Sequence, residues 1–409
     1  MKLIGLDNLP SNFRVSLEEI FRIELFKKAE EEIGNQKKLA KALGYSKDIS
    51  CLKRGYKCYK NKTKKSLRFL KAETLKELSK ITQISIDEIE SRIVGLKSCG
   101  SVISMKFPIY PTKELASIIG HCFGDGHTSI QKCWYYNTTR ELLEKFKNNL
   151  KSAFSTNLEL KIKKDRRKLY RMFIPISIGH LLIMVGAPKG KKVNQQLVVP
   201  DWIINGSKEI KAKFLRALFD DEACVSFRKG GKNSIIFGLS TRKEFVKFLK
   251  EFLNSIQKIL SDIGIESNEL YKGRPSYKPF FGKDKWIEIP KEVKSRSIKI
   301  EFTITGYKNF LKFFHQIGFT HPLKHMKLQK IISNYKYFYY RHGKCEGLII
   351  NELKEGPQTI QNLMKKLNRS DDAIRYHLHN LYKKNLIEKD GLHPILWRLN
   401  SKNNIGNIK

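Results

Sequence analysis

The sequence predicts an α+β fold in which a central αββαββα unit occurs twice, with pseudo-two-fold symmetry. A helix-turn-helix precedes this unit and a winged helix follows it. Three observations predict this arrangement. Two apolar helical segments that each end in an acid recur 97 residues apart. Each segment is followed by strand-like runs and one long amphipathic helix. The flanking regions have helical spacing that is broken by glycine and proline.

The charge of the chain indicates the kind of partner. The 409 residues are enough for two or three domains. They include 79 Lys and Arg against 40 Asp and Glu, a formal net charge of +39. A compositional drift toward lysine should enrich glutamate as readily. An excess of this size therefore favours a polyanionic partner, most simply nucleic acid.

Cysteine usage and hydropathy indicate the compartment. The seven cysteines are odd in number, scattered, and never spaced as C-x-x-C, so they form neither a disulfide framework nor a zinc ribbon. This pattern is typical of a reducing compartment. The sequence shows no signal-peptide pattern and no apolar run of membrane-spanning length. We therefore expect a cytoplasmic protein without a membrane partner.

Residues 1–105 are predicted as a helical DNA-binding domain. The stretch NQKKLAKALGYSKDISCLKRG (35–55) indicates a helix, a turn at Gly44 and a second helix that begins near Ser46. The pattern is similar to DNA-binding domains of phage-repressor type, in which the second helix enters the major groove. An ordinary helical hairpin is the alternative. The candidate DNA contacts are Lys47, Lys53 and Arg54.

The central region, 106–335, divides into halves 106–205 and 206–335. The halves open with LASIIGHCFGDG (115–126) and AKFLRALFDDEA (212–223). In each half, strand-like runs, a long amphipathic helix, two more strands and a short closing helix follow in the same order. RMFIPISI (171–178) is predicted as one of these strands. A period of 97 residues is too long for a solenoid repeat and predicts a duplicated unit.

The two opening helices carry the predicted chemistry. Asp125 and Glu222 lie at helix C-termini, where the helix dipole disfavours an acid unless a cation compensates. If the helices pack side by side, the carboxylates come close, and like charges at that distance call for a metal. Oxygen ligands suit Mg²⁺, with Mn²⁺ as the alternative, and a divalent ion on a basic protein suggests phosphodiester hydrolysis. Seam packing is assigned to Gly120, Gly124 and Ala217. Gly126 is predicted to cap the first helix in the left-handed conformation.

These segments resemble the paired motifs of LAGLIDADG (DOD-type) homing endonucleases. LLIMVGAPKGKKVNQQLVVPDWI (181–203) and FFHQIGFTHPLKHMKL (313–328) are also similar to family blocks, so the resemblance covers about 106–335. It implies two four-stranded saddles along the major groove of a long DNA site. It also implies that the motif helices form the seam, and that Asp125 and Glu222 bind metal at the scissile phosphates.

The second motif departs from the family pattern at three positions. Glu222 stands where Asp is usual, Ala223 where Gly is usual, and Asp221 where a small residue usually packs at the seam. Ala223 is expected to adopt a cap conformation that glycine takes more easily. Asp221 adds a third neighbouring carboxylate for which the sequence offers no account. Nicking of one strand is the alternative to cutting both.

Basic residues around the acids are candidates for catalysis and DNA contact. The family implies a lysine near each acid, and Lys191 and Lys324 each lie shortly after a Gly…Pro turn. A solvated basic loop is the alternative for both. The candidate groove contacts of the central region are His127, Gln131, Lys132, Arg228, Lys229 and Lys232.

Residues 336–400 are predicted as a winged helix, with a flexible tail at 401–409. Three helical pieces at 348–353, 360–367 and 373–381 precede two alternating runs around a turn at Asp390-Gly391. Winged helices also bind proteins, so protein contact is the alternative to DNA binding. The candidate recognition residues are Arg375, Tyr376, Asn380 and Lys383.

Two functions follow from these patterns. The first is a divalent-metal-dependent, site-specific double-strand DNA endonuclease of the free-standing homing type from a mobile element, acting as a monomer with an internal pseudo-dimer. Met1 and the absence of a C-terminal His-Asn argue against an intein. The second is a domesticated relative without cleavage, either a transcription regulator or an RNA-binding maturase.

Overall fold

The computed structural model describes most of the chain in segments. These are residues 2–45, 68–98, 101–156, 158–165, 168–228, 233–273, 280–281, 286–287, 297–335, 344–367, 369, 371–391 and 395–400. Within them, no helix is both long and apolar enough to cross a lipid bilayer.

The N-terminal region combines helices with a sheet. The strands β1 to β4 form an antiparallel sheet in the order β2-β1-β3-β4. Their bounds are β1 Arg14–Leu17, β2 Leu70–Lys71, β3 Ile93–Ser98 and β4 Ser101–Ser104. The helices are α1 Glu19–Ile33, α2 Gln36–Ala42, α3 Ala72–Thr82 and α4 Ile86–Ser91. The prediction of a helical region is therefore wrong. β1 pairs with β3, about eighty residues further along the chain, so this pairing has no local signal, and the local pair of β3 with β4 was not predicted either.

The first central half follows the order predicted for it. Its strands pair in the order β5-β6-β8-β7, all antiparallel. The elements are α5 Lys113–Phe123, β5 Gly126–Thr128, β6 Cys133–Asn137, α6 Arg140–Ala153, β7 Ile162–Lys164, β8 Tyr170–Phe173 and α7 Ile176–Met184, followed by the short helix α8 Asp201–Ile204.

One strand predicted for this half is longer than the strand in the structure. The predicted strand 171–178 ends at Phe173, and α7 begins at Ile176 with Pro175 at its N-cap position. Proline has no backbone N–H to give to a sheet, and its fixed φ suits the start of a helix. The apolar run therefore changes from strand to helix at the proline.

The second half repeats the sheet order with a longer excursion before its last strand. Its strands pair in the order β9-β10-β14-β11. The elements are α9 Lys208–Glu222, β9 Cys224–Ser226, β10 Ser234–Arg242, α10 Val246–Asp262, β11 Tyr271–Lys272, the small ladder β12 Phe280–Phe281 with β13 Trp286–Ile287, β14 Ser297–Ile304, α11 Tyr307–Lys312, a π-helical turn Phe313–Ile317 and α12 Pro322–Tyr335.

The C-terminal region has the three helices and the wing that the sequence predicts. A three-stranded antiparallel sheet in the order β15-β17-β16 completes it. The elements are α13 Lys344–Lys354, β15 Gln358–Thr359, α14 Ile360–Leu367, α15 Asp371–Lys383, β16 Ile387–Asp390 and β17 Leu396–Leu399.

Two hydrophobic cores hold the described residues together. One runs from Ile4 to Ile331 and joins the N-terminal region to both central halves. A backbone bridge between Ile4 and Ile109 ties the first residues to the segment that leads into α5. The other core, from Cys345 to Trp397, belongs to the C-terminal region alone.

Candidate active site at the seam of two helices

The helices α5 and α9 pack against each other through small residues. A Cβ at Gly120 would lie 2.5 Å from the Phe214 carbonyl oxygen and 2.8 Å from the Ala217 Cβ. No side chain fits at Gly120, because real Cβ atoms do not approach that closely. Gly120 and Ala217 therefore allow the backbones to meet, as the sequence predicts.

Both seam helices begin at a capped N-terminus. The Thr112 hydroxyl accepts a hydrogen bond from the Leu115 N–H at 3.1 Å, and the Ser207 hydroxyl accepts one from the Ile210 N–H at 3.3 Å. Fixing both starting points also fixes where the helices end. Their last turns bring Asp125 and Glu222 to the same end of the seam.

The predicted cap conformations at these ends are wrong. Gly126 lies in β5 and has no left-handed φ; it is glycine because a Cβ there would lie 2.8 Å from the His121 carbonyl oxygen. Ala223 is extended, with φ −82° and ψ 151°. Any residue adopts that conformation, so replacing glycine with alanine there costs no backbone strain.

The two acids lie in an environment that disfavours their charge. Burial raises the pKa of the Asp125 carboxyl, and the negative charges of Asp221 and Glu222 raise it further. Burial likewise raises the pKa of Glu222 to about 7, although the nearby Lys192 acts in the opposite direction. Two half-buried carboxylates whose pKa values are raised although Lys192 and Lys324 lie nearby form a site that would gain from a further cation.

A lysine lies at the C-terminal end of each seam helix. The Lys192 Nζ donates to the carbonyl oxygens of Gly126 at 3.2 Å and Cys122 at 3.5 Å. The Lys324 Nζ donates to the Phe219 carbonyl oxygen at 3.1 Å and to the next two carbonyls of α9. Burial lowers the pKa of Lys324. Both lysines compensate the negative ends of the helix dipoles.

One of the two predicted lysines does not lie at a helix end. Lys324 lies beside its acid, but Lys191 is exposed, and its neighbour Lys192 reaches the helix end instead. Lys191 and Lys192 are adjacent in the chain, and Lys192 is the first residue of the 3₁₀ turn Lys192–Asn194. Sequence spacing cannot resolve which of two adjacent lysines turns inward.

Asp220 has a structural role at the same seam. Its buried carboxylate accepts hydrogen bonds from the Thr320 N–H at 2.9 Å and the His321 N–H at 2.9 Å, just before α12 begins. Asp220 therefore fixes the start of the helix that carries Lys324, and both its oxygens accept from these backbone N–H groups.

Asp221, for which the sequence offered no account, is a buried acceptor. Its side chain has no exposed surface. The Oδ1 atom accepts from the Tyr135 hydroxyl at 2.7 Å and from the Asn137 Nδ2 at 3.3 Å. The Oδ2 atom accepts from the Asp125 N–H at 3.1 Å and lies 3.0 Å from the His121 Nδ1. All four partners belong to the first half of the central region.

The donor set at the seam suits a hard divalent cation. Asp125 and Glu222 supply oxygen ligands, and Glu222 borders a cavity of about 360 Å³ together with Lys192 and Lys299. Gln195 lines the same cavity, and its buried Nε2 has no hydrogen-bond partner within the described residues. No group of three or more His, Cys, Asp or Glu in that part of the chain is arranged to hold a metal.

The sheet of the first half presents aromatic side chains on its outer face. Trp134 stacks on His127 with ring centroids 4.4 Å apart and meets Phe173 edge to face at 6.3 Å. Phe173 is 57% exposed. Gln131 and Lys132, two predicted contacts, are exposed in the turn before β6. Aromatic rings next to basic side chains are typical of surfaces that contact bases.

The sheet of the second half presents a different face. Ser240 pairs with Lys299 and Gly238 with Glu301, and the exposed Tyr271 of β11 also pairs with Glu301, so this face mixes small, charged and aromatic side chains. The predicted contact Arg228 is exposed after β9, where its N–H donates to the Asn233 side chain. The predicted contacts Lys229 and Lys232 lie outside the described residues.

The remaining predicted DNA contacts lie in the N-terminal and C-terminal regions. The first helix of the predicted helix-turn-helix is α2, capped by Asn35. Lys47, Lys53 and Arg54 lie outside the described residues, as does Ser46. On α15, Tyr376 is 64% exposed and Asn380 is half-buried. Two further candidates on that helix, Arg375 and Lys383, are exposed.

Sequence reasoning missed several residues around the acids. No functional role is predicted from the sequence for Tyr135, Asn137 or His121. A signal was available: an acid at a seam position that normally takes a small residue requires donors in the opposite half. Which donors reach it depends on how the strand β6 passes beneath α9, and one sequence does not show this.

Two segments of the chain match protein-family models. Residues 209–318, which include Glu222, match a model described as a LAGLIDADG-like domain. Residues 348–389 match a model described as bacterial regulatory protein, arsR family. The segment with the second acid is thus similar to LAGLIDADG-like domains, and the C-terminal region is similar to this family of bacterial regulatory proteins.

Curated relatives and solved structures were also found. The chain is 24% identical over 344 residues to a tRNA-splicing ligase RtcB of Methanopyrus kandleri, covering 78% of this chain and 32% of the relative. It is 26% identical over 385 residues to a glutamine–fructose-6-phosphate aminotransferase of Methanocaldococcus jannaschii, covering 88% and 31%. The chain thus spans about a third of the length of these relatives. A structure of I-DmoI in complex with DNA and Mn is 10% identical with a TM-score of 0.31, covering 51% of this chain and 97% of that one.

Proposed function

We propose that this protein is a site-specific endonuclease of homing type that hydrolyses phosphodiesters in double-stranded DNA with Mg²⁺ or Mn²⁺. The observation that carries the proposal is the convergence of Asp125 and Glu222 at one end of the α5–α9 seam, with Lys192 and Lys324 at the two helix ends. The match of residues 209–318 to a LAGLIDADG-like domain supports it. The net charge of +39 supports a nucleic-acid substrate.

The relatives' own activities do not belong to the shared segment. A ligase and an aminotransferase bear different names, and this chain aligns with only about a third of each. A segment that recurs in proteins of unrelated activity carries a function of its own. This pattern supports the origin from a mobile element that the sequence patterns predict for the homing endonuclease.

Each group at the seam has a role in the proposed reaction. Asp125 and Glu222 would hold the divalent ions, which supply Lewis acidity toward the phosphate and a more acidic water. Lys192 and Lys324 place positive charge beside the acids, and hydrogen bonds to the carbonyl oxygens at the helix ends orient their side chains. The small residues of the seam keep the two carboxylates at a fixed spacing, so that the two strands are cut with a stagger.

The sheet faces and the terminal regions would position the DNA. The candidate contacts His127, Gln131, Lys132 and Arg228 lie on or beside the outer faces of the two sheets. On α15, Arg375, Tyr376, Asn380 and Lys383 lie on the helix that would enter a groove. These contacts add affinity on either side of the cleavage site, in a protein that acts as a monomer.

The experiment is selection of bound fragments from random or genomic DNA, followed by cleavage of the selected sequence with Mg²⁺. Asp125→Asn is expected to bind the selected DNA but not to cut both of its strands. Asp262→Asn is the matched control, because it removes a partly exposed carboxylate of α10 that pairs only with Lys211 in the described residues. Undiminished cutting by Asp125→Asn would refute the proposed chemistry.

One observation favours a second candidate. The match of residues 348–389 to a family of bacterial regulatory proteins suggests a transcription regulator that has kept the fold without cleavage. An RNA-binding maturase is the other form of this alternative. Tight binding of a selected DNA or RNA, with no cleavage in Mg²⁺ or Mn²⁺, would support the second candidate and refute the first.

A further inference from the structure

The acid Asp221 occupies a place where the first half has a glycine. Asp221 directly precedes Glu222, as Gly124 directly precedes Asp125. The two positions face each other across the seam: a Cβ at Gly124 would lie 2.5 Å from the Asp221 Cβ, and the Asp221 carboxylate would be closer still. The side chain of Asp221 thus fills the space that Gly124 leaves open.

The hydrogen bonds of Asp221 show that it is not itself a metal ligand. A carboxylate has about four lone-pair sites. In Asp221 they face the Tyr135 hydroxyl, the Asn137 amide, the Asp125 N–H and the His121 ring nitrogen. No site is left for a cation, and the side chain has no exposed surface through which one could enter.

The same network reaches the carboxylate of Asp125. Asn137 Nδ2 donates to the Asp125 Oδ2 at 2.8 Å and to the Asp221 Oδ1 at 3.3 Å, so it bridges the two acids. The orientation of the Asn137 amide is set from its other side, because its Oδ1 accepts from the Thr139 N–H at 3.0 Å. Asp125 is therefore held at its backbone by Asp221 and at its side chain by Asn137.

We infer that Asp221 is a positioning residue, which reaches across the seam from the second half and fixes the metal-binding carboxylate of the first half. The role is asymmetric, because the equivalent residue of the first half, Gly124, has no side chain with which to hold Glu222. This inference rests on the proposed function for its catalytic consequence, but not for the contact itself.

The contact is tested by a double-mutant cycle on thermal unfolding of the full chain. Gly124→Ala is expected to lower the Tm strongly in the wild-type background and by at most about half as much in the Asp221→Gly background, because the Cβ and the carboxylate of Asp221 that the added methyl would overlap are then absent. Equal losses in both backgrounds would show that the two residues do not share this space, and would overturn the inference.

The positioning role is tested by titrating Mn²⁺ alone onto the full-length protein and following the signal of the free ion by electron paramagnetic resonance. Removal of a residue that orients a ligand typically weakens metal binding roughly 10- to 100-fold, and this loss is expected for Asp221→Ala and for Asn137→Ser. Ser117→Ala is the matched control. It removes another buried hydrogen bond of α5, to Asn149, far from the acids, and should leave Mn²⁺ affinity unchanged.

Cleavage of the selected DNA gives a readout that a purely structural role would not change. Asp221→Ala should accumulate nicked DNA, because only the half built around Asp125 loses its geometry. Mn²⁺ affinity within about twofold of wild type, with both strands cut at equal rates, would overturn the inference. A wild-type protein that neither binds Mn²⁺ nor cuts DNA would refute the proposed function, and the double-mutant cycle would still decide the contact.

Discussion

The ends of α5 and α9 are built from corresponding parts and differ in how firmly they hold their acid. Each helix ends in a carboxylate, and each end is bound by one lysine, Lys192 or Lys324. Asp125 is held by Asn137, but no hydrogen bond to the Glu222 side chain is found among the described residues. A duplicated motif thus supports two acids in different ways, one preorganised and one facing a cavity.

The two sheets also differ in the side chains on their outer faces. On the outer face of the first sheet, His127 stacks on Trp134, and Phe173 meets Trp134 edge to face. The corresponding face of the second sheet has serine, glycine and charged residues together with Tyr271. The two halves share their strand order, and their inward residues form one core, whereas their outward residues differ.

The largest expected effect compares the two acids directly. Asp125→Asn and Glu222→Gln should each reduce the rate of cutting one DNA strand by about three orders of magnitude, because several kcal/mol of charge stabilisation are lost. The strands affected should be opposite ones, which end-labelling of each strand in turn will show. Loss of the same strand in both variants would mean that the two acids form a single site.

A smaller effect is expected from closing the gap between the seam helices. Gly120→Ala should destabilise the protein by about 1–3 kcal/mol, because its methyl overlaps the Phe214 carbonyl and the Ala217 Cβ. Urea unfolding will measure the change. Gly347→Ala is the control: this helical glycine has nothing within 4 Å of an added Cβ, and alanine there should stabilise α13 by about 0.5–1 kcal/mol.

The raised pKa values predict a pH dependence of the metal-free protein. The pKa values of Asp125 and Glu222 in the folded protein lie above those in the unfolded chain, and the folded-state pKa of Glu222 is about 7. Between about pH 4 and pH 7 the folded protein therefore binds more protons than the unfolded chain, and its stability falls as pH rises.

The size of this effect is at most about 1.4 kcal/mol for each unit of pKa shift. Thermal unfolding of the wild type and of Asp125→Asn/Glu222→Gln, measured across this range without metal, will isolate it. The double variant should show the weaker pH dependence, and saturating Mg²⁺ should raise wild-type stability most at the upper end of the range. Identical pH profiles would show that the two acids titrate as ordinary surface groups.

The smallest effect tests the difference between the sheets. Phe173→Ala should weaken binding of the selected DNA by about 1 kcal/mol, the lower end for loss of an aromatic contact to a base. Ser240→Ala on the other sheet should change affinity by less than about 0.5 kcal/mol. Filter binding at fixed salt will measure both. Lys132→Ala, in contrast, should reduce the slope of affinity against salt, because it removes a phosphate-neutralising charge.

The sequence predicts the central architecture and the C-terminal region well, for reasons that are visible in particular elements. The seam helices were placed from their apolar runs and from the acids at their ends, and the wing from alternation around Gly391. The N-terminal sheet was missed because β1 and β3 are far apart in the chain. The strand before α7 was drawn too long because an apolar run alone does not distinguish strand from helix.

Periodicity, composition and the repeat of an acid at 97 residues predict two helices of one kind, a carboxylate at the end of each, and a net charge of +39 that favours a polyanionic partner. These are local or summed properties of the chain. The choice of Lys192 over Lys191, the role of Asp221 and the extended conformation of Ala223 depend on the tertiary structure. The Lys192 contact spans 66 positions within the first half, and the Asp221 contact spans 96 positions between the halves. The conformation of Ala223 follows from the direction in which β9 leaves α9.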